Sequence, residues 1–216
     1  MNKPDLHLLE STQLPYLVSV PRNNPPENGW PLIFFLHGYD EGAPLQIHTA
    51  LTANGPLSSQ SSPRATADFL IAAPQLRTRG DIWERFADDV LEIKSEVTQT
   101  FQIDSSKSYL TGFSFGGNGV FDLGIRQPDT WAALWAVDPT RVPRQKINKP
   151  IWLSSGSASR HKGQSFMKTL DLHVLENSEV PSERVYLDRK LDHVGTAAQA
   201  YGDDRIYQWL LQKSLK

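Results

Sequence analysis

The chain has 216 residues, of which 39% are hydrophobic and 21% charged, a balance that fits one globular domain over residues 1–216 with a sizeable core. The formal net charge of −2 provides no basic surface for nucleic acid, and the lack of cysteine excludes disulfides, cysteine nucleophiles and thiolate metal ligands. No apolar segment is long enough for a signal peptide or a membrane span, so we expect a cytoplasmic protein with no membrane partner.

The first part of the chain predicts three strands. Weak alternation over residues 16–20 predicts an early strand that ends at Pro21. Residues 31–36 and 69–73 are continuous apolar runs, which are typical of parallel strands buried on both faces. The polar stretch between them, residues 43–66, is predicted as a long loop with a short helix.

A long helix is predicted after the second apolar run. Asp81 and Glu84 have the spacing of a capping box, which marks a helix start. The apolar residues that follow recur every three or four positions and form one face: Ile82, Phe86, Val90, Ile93, Val97 and Phe101. Residues 103–107 are predicted as a turn into the next strand.

The rest of the chain continues to alternate strands with helices. Strands are predicted at residues 108–111, 131–137, 151–153 and 184–187, and helices after residue 114 and at 163–175 and 204–215. About a dozen residues join the strand at 131–137 to the next strand, too few for a cap domain. We therefore predict a doubly wound, mostly parallel α/β sheet without a cap.

The segment from Gly112 to Gly116 reads G-x-S-x-G between a predicted strand and a predicted helix. In a nucleophile elbow the serine sits on a strained turn, and small residues two positions before and after it let the backbones crowd together. The N–H of the next residue, Phe115, then faces the place where an oxyanion would form. Ser114 is the predicted nucleophile, although glycine and serine are also common in simple turns.

Polar residues follow several predicted strands at the edge where open α/β sheets bind ligands. A serine nucleophile needs a histidine base, and the base needs a third group that orients it. His193 is the predicted base because it lies in a loop between the last strand and the last helix. His37 ends a buried strand and is predicted to support the neighbouring loop by hydrogen bonding. No close pair of metal ligands is present, so we predict no metal site.

The chain resembles α/β-hydrolases of the dienelactone hydrolase, phospholipase/carboxylesterase and "predicted peptidase" esterase group over residues 30–212. The matching segments are PLIFFLHGYDEGA, ANGP, FLIAAPQ with a downstream tryptophan, DSSKSYLTGFSFGGNGVFDL, WAALWAV and DHVGTAAQAYGDDRIYQWLL. The resemblance implies hydrolysis of a small-molecule ester or a related acyl compound, with no cofactor. It also implies Ser114 as nucleophile, His193 as base and the N–H groups of Tyr39 and Phe115 as the oxyanion hole.

The acid of the triad is the point at which the chain departs from this group. The group carries it in an H-G-x-x-D segment after a late strand, and Ser159 stands at that position here. Asp138, at the tip of the preceding strand, is the first alternative. A carboxylate elsewhere is the second, with candidates Asp188, Asp171 and Asp192. A site with no acid is the third, and it would indicate a slow enzyme or a non-catalytic relative that binds a ligand or a protein.

Other residues near the predicted site concern the shape of the oxyanion loop and of the substrate pocket. Asp40 and Glu41 are expected to shape the oxyanion loop rather than to act in catalysis. Four aromatic residues are candidates for an acyl or alcohol pocket, with plain core packing as the alternative: Tyr39, Phe113, Trp83 and Trp135. Without a cap the cleft is expected to be open and shallow, which favours small soluble esters.

Overall fold

The computed structural model describes residues 5–10, 14–158, 161–175 and 182–215, and these residues build one nine-stranded sheet. The strands are β1 (Leu6–Glu10), β2 (Pro15–Ser19), β3 (Trp30–Leu36), β4 (Leu70–Pro74), β5 (Ile103–Phe113), β6 (Ala133–Val137), β7 (Ile151–Ser155), β8 (His173–Val174) and β9 (Arg184–Asp188). Their order is β1-β2-β4-β3-β5-β6-β7-β9-β8. The β1–β2 and β2–β4 pairs are antiparallel, and all other pairs are parallel.

Helices cover both faces of this sheet. They are α1 (Ile47–Ala53), α2 (Pro63–Asp68), α3 (Ala87–Thr100), α4 (Phe115–Arg126), α5 (Gly163–Leu170), α6 (His193–Tyr201) and α7 (Asp204–Leu211). Helices α3, α4 and α5 pack on one apolar core, and α1, α2, α6 and α7 pack on the other. The prediction of a doubly wound, mostly parallel α/β sheet is confirmed.

Strand β3 shows why a continuous apolar run marks a central strand. Leu32, Phe34 and Leu36 belong to the core on the α3 side. Ile33 and Phe35 alternate with them and belong to the core on the α6 side. Because successive side chains point to opposite faces and both faces are covered, every residue of β3 is buried.

The start of α3 differs from the predicted capping box at Asp81 and Glu84. A 3₁₀ turn, Trp83–Phe86, precedes α3, and its N-cap residue is Ile82, which makes no side-chain cap. The Asp81 carboxylate accepts a hydrogen bond from the adjacent Ile82 N–H at 2.8 Å. The capping-box prediction is wrong because the tight turn buries Trp83 beside the sheet instead of starting an α-helix there.

Three other segments also differ from their predicted structure. The predicted turn at residues 103–107 is the first part of β5. The predicted helix at 163–175 ends at Leu170, where Asp171 takes a left-handed φ of 56° and the short strand β8 follows. The stretch at 43–66, predicted as a long loop with one short helix, contains α1, and α2 begins within it and ends at Asp68.

His193 is predicted in a loop, but it is the first residue of α6. The side chain of Asp192 caps this helix by accepting a hydrogen bond from the Gly195 N–H at 2.7 Å. Small residues fill the segment, so no apolar period marks it as a helix before the structure is known. The cap fixes the direction in which the chain leaves β9 and therefore the position of the histidine.

The sheet order brings distant parts of the chain to one edge. Strands β3, β5 and β6 are neighbours and parallel, so their carboxyl ends lie side by side. His37 follows β3, Ser114 follows β5 and Asp138 follows β6. No helix or strand lies in residues 138–150 between β6 and β7, in agreement with the absence of a cap predicted from the short connection.

Candidate active site

Ser114 lies at the sharp turn between β5 and α4, with a φ of 58° and a ψ of −115°. A positive φ is strained for a residue that carries a Cβ, so the surrounding structure must hold it. A Cβ on Gly112 would overlap the Gly116 carbonyl, and a Cβ on Gly116 would overlap the Leu36 carbonyl at the end of β3. The two glycines therefore permit the crowding of β3, β5 and α4 that a nucleophile elbow requires.

Ser114, His193 and Asp138 form one hydrogen-bonded line. His193 Nε2 lies 2.9 Å from Ser114 Oγ, and His193 Nδ1 lies 2.5 Å from Asp138 Oδ2. A carboxylate only accepts hydrogen bonds, so Nδ1 carries the ring proton and Nε2 is left to accept the serine proton. This is the geometry of a serine nucleophile, a histidine base and an orienting acid.

Asp138 is fully buried at the end of β6, where its backbone has a φ of 41°. Its Oδ1 accepts a hydrogen bond from the Gly156 N–H at 3.0 Å, while Oδ2 faces His193. Its own N–H donates to the Ser154 carbonyl at 2.8 Å. Both carboxylate oxygens therefore have donors, as a buried charge requires.

The other candidates for the acid face elsewhere. Asp192 Oδ1 accepts from a backbone N–H at the start of α6. Asp188 Oδ1 accepts from two backbone N–H groups, at 3.0 and 2.8 Å. Asp171 pairs with a lysine on the surface, and Ser159 lies outside the described residues. Asp138 is the carboxylate that the fold brings to the His193 ring.

The loop after β3 is held by the His37 side chain. Its Nδ1 donates to the Gly38 carbonyl at 2.7 Å, and its Nε2 accepts from the Leu76 N–H at 3.0 Å. Burial lowers the pKa of His37 to about 4, so the ring is neutral and can make both bonds. The Gly38 carbonyl and the Tyr39 N–H share one planar trans peptide, so this N–H points away from His37.

The two amides predicted for the oxyanion hole lie on elements that flank Ser114. Phe115 is the first residue of α4, so its N–H has no acceptor within the helix. Within the described part of the chain, the Tyr39 N–H donates no hydrogen bond. The rings of Tyr39 and Phe115 meet edge to face with centroids 5.0 Å apart. A Cβ on Gly38 would lie 3.2 Å from Ser114 Cβ, so this loop lies against the serine.

The four aromatic candidates for a pocket separate into three environments. Tyr39 is 45% exposed at the rim of the site. Phe113 is buried, and its ring packs on the His193 ring with centroids 4.5 Å apart. Trp83 and Trp135 belong to the two cores. Of the four, Tyr39 is the side chain available to a bound molecule.

Gly156 is a residue of the site to which the sequence analysis assigns no role. Besides donating to Asp138, it packs so closely against the start of α6 and the residues before it that a Cβ would overlap Thr196 Oγ1 and the Leu191 carbonyl. A glycine directly after a buried strand was the available signal, but its significance depends on the neighbouring loop, which sequence alone does not locate. Gly156 thus links the acid and the base of the site.

The described residues contain neither a candidate metal site nor a candidate membrane-spanning helix. No group of three metal-ligating side chains occurs among residues 5–10, 14–158, 161–175 and 182–215. The same ranges contain no helix that is long and apolar enough to cross a membrane.

Comparisons with known proteins establish the fold. No protein-family model and no curated protein matches the sequence. A thermostable esterase matches with a TM-score of 0.72 and 18% identity, and the match covers 98% of this chain and 63% of the esterase chain. This chain therefore spans less than two thirds of that esterase. An S-formylglutathione hydrolase from Agrobacterium tumefaciens matches with a TM-score of 0.67 and 13% identity, and the match covers 98% of this chain and 95% of the hydrolase chain.

A third solved structure carries the same fold. The fluorophosphonate-binding serine hydrolase F of Staphylococcus aureus matches with a TM-score of 0.65 and 13% identity, covering 96% of this chain and 97% of its own. Identities this low establish the fold alone. The chain has the α/β-hydrolase fold, as its resemblance to the esterase group implies, and its structural neighbours are esterases and serine hydrolases.

Proposed function

We propose that this chain is a serine esterase that cleaves small soluble esters through an acyl-enzyme. The observation that carries the proposal is the continuous hydrogen-bonded line from Ser114 Oγ through the His193 ring to Asp138, with separations of 2.9 and 2.5 Å. The hydrolase fold of the structural neighbours agrees with it.

In the proposed first step Ser114 Oγ attacks the ester carbonyl while His193 Nε2 takes the serine proton. Asp138 then faces a positively charged ring, which its carboxylate stabilises. Collapse of the tetrahedral intermediate breaks the bond to the alcohol oxygen, which receives the proton from His193. Water attacks the acyl-enzyme with the same base, and release of the acid regenerates Ser114.

The N–H groups of Tyr39 and Phe115 are the proposed donors to the oxyanion of each tetrahedral intermediate. They belong to two separate elements, the loop after β3 and the first turn of α4, that meet beside Ser114. The positive end of the α4 dipole favours negative charge at the same place. Loss of one such donor typically costs about 10²–10³-fold in turnover.

Small esters are the proposed substrates because, among the described residues, the connection after β6 forms no cap over the site. Residues 138–150, which join β6 to β7, contain no helix that could close over Ser114. Tyr39 is exposed at the rim and offers an aromatic face to the acyl or alcohol part. The same groups could serve a peptidase or an acyltransferase, because fold does not fix function.

The proposal is tested by hydrolysis of p-nitrophenyl acetate and butyrate. We expect wild-type protein to release nitrophenol, and we expect the Ser114→Ala variant to lose at least about 10³-fold of this activity with an unchanged circular dichroism spectrum. Trapping of an acetyl group on Ser114, seen by mass spectrometry, would show the acyl-enzyme directly. Equal rates for the two proteins would refute the proposal, and rates no faster than buffer alone in both would favour a non-catalytic relative that binds a ligand or a protein.

A further inference from the structure

Glu41 is a buried carboxyl beside Ser114 that the proposed reaction does not use. The residue is 7% exposed, although it lies in a loop. Its Oε1 accepts a hydrogen bond from Asn54 Nδ2 at 2.7 Å, where Asn54 ends α1. Its Oε2 lies on the other side, 2.7 Å from the position that a Cβ on Gly38 would occupy. Gly38 is therefore held between the carboxyl of Glu41 and the serine.

A hydrogen-bond donor rather than a cation compensates this carboxyl. Burial raises the pKa of Glu41, and the hydrogen bond from Asn54 acts against that rise. The side chain thus bridges α1 to the backbone of the loop that faces Ser114.

The backbone groups around Gly38 account for the direction of the Tyr39 N–H. In the peptide before Gly38, the His37 carbonyl accepts from Trp83 Nε1 at 3.0 Å, and Glu41 Oε2 lies close to Gly38. In the peptide after Gly38, the carbonyl accepts from His37 Nδ1 at 2.7 Å. Two planar peptides held in this way fix the rotation of the glycine between them, and the Tyr39 N–H is the donor that is left for a ligand.

We propose that Glu41 is a positioning residue for the oxyanion hole. Its carboxyl, held by Asn54, packs against Gly38 and thereby keeps the Tyr39 N–H directed to the oxyanion. This inference rests on the proposed function. The interaction it supports exists only when the oxyanion forms, so its loss lowers kcat and leaves KM nearly unchanged.

Exchanging the hydrogen-bonding groups of Glu41 and Asn54 tests the role of their contact. Asn54→Asp places two carboxylates face to face, and we expect kcat to fall by about 10- to 100-fold, within the cost of a lost oxyanion donor. Glu41→Gln/Asn54→Asp restores a donor–acceptor pair with its members exchanged, and the side chain at position 41 keeps its length and its place against Gly38. We expect the double variant to regain at least about tenfold in kcat over Asn54→Asp, a non-additive effect that measures the coupling.

A matched pair of alanine variants answers the same question if Asn54→Asp does not fold. Glu96 also accepts a hydrogen bond within a partly buried pair, from Tyr16 at 3.1 Å, on α3 away from the site. We expect Glu41→Ala to lower kcat by about tenfold or more at constant KM. We expect Glu96→Ala to keep the wild-type kcat.

The outcomes separate the two proposals. Wild-type protein that hydrolyses esters, together with additive effects of Glu41→Gln and Asn54→Asp or a wild-type kcat in Glu41→Ala, would overturn the role of Glu41 alone. A change confined to KM would overturn it as well. Wild-type protein with no activity would overturn the proposed function, and with it any oxyanion for Glu41 to serve.

Discussion

At the scale of single residues, Asp138 differs from the other candidate acids in being fully buried and facing the His193 ring. The sequence names Ser114, His193 and Asp138, but it leaves the acid open among several carboxylates. The choice depends on how the loop after β7 turns, because the Gly156 N–H from that loop meets Asp138 Oδ1. Such a contact between strands has no local sequence pattern. The catalytic roles of the three residues stay predictions.

The first residue-scale prediction concerns the acid. Asp138→Asn keeps the size of the side chain but presents an amide to His193 Nδ1, which disturbs the tautomer and removes the charge that stabilises the protonated ring. We expect kcat for p-nitrophenyl acetate to fall by about 10³- to 10⁴-fold, with a small change in KM. The control Asp171→Asn, which removes a surface pair with Lys146, should retain wild-type kcat. Wild-type activity in Asp138→Asn would place the acid elsewhere.

The second residue-scale prediction concerns pH and His37. Burial lowers its pKa from 6.5 to about 4, so the unfolded chain binds this proton at a higher pH than the folded chain does. The contribution of neutral His37 to the free energy of unfolding is complete above pH 6.5. It is lost as the pH falls from about 6.5 to about 4, by roughly 3 kcal/mol at about 1.36 kcal/mol per pKa unit. Urea unfolding at pH 7 and pH 4.5 should show most of this loss in wild type.

The control for the His37 prediction is His37→Gln, which has no proton to gain. The pH dependence of its unfolding free energy should be smaller than that of wild type over the same range, while contributions from other groups cancel in the comparison. Identical pH dependence in the two proteins would show that His37 is not held neutral in the folded chain.

At the scale of elements, helices and strands were predictable where packing leaves a period in the sequence. The central strands are apolar throughout because both faces are buried, and β3 is the clearest example. The edge strand β1 is largely exposed and was not predicted. Helix α6 was missed because it is built from small residues, and the 3₁₀ turn before α3 resembled a helix start. The local pattern is weak in β1 and α6, and at the 3₁₀ turn the burial of Trp83 outweighs it.

The element-scale prediction concerns the contact of α4 with β3. The Cβ of Gly116→Ala would overlap the backbone carbonyl of Leu36, which cannot move without displacing β3. We expect a loss of about 3 kcal/mol or more in unfolding free energy, or failure to fold. Gly202→Ala, at the end of α6 with a φ of −81°, should cost less because no overlap of this severity arises. Equal costs in urea unfolding would contradict this account of the elbow.

At the scale of the whole molecule, the parallel sheet assembles a site from residues that are far apart in sequence. His193 is 79 positions from Ser114 and 55 from Asp138, yet both are hydrogen-bonding partners of its ring. The alternation of strands and helices predicts this edge of the sheet as the ligand site. It does not fix which loops close on one another, and that is why the acid stayed open. The cytoplasmic location stays a prediction.

The central claim is that Ser114 is an activated nucleophile, and labelling with a fluorophosphonate probe tests it most directly. Wild-type protein, Ser114→Ala and Asp138→Asn are incubated with the probe beside a known serine hydrolase. We predict rapid labelling of wild type, none of Ser114→Ala and much slower labelling of Asp138→Asn, because the acid supports the base that activates the serine. An unlabelled wild type beside a labelled control hydrolase would contradict the account.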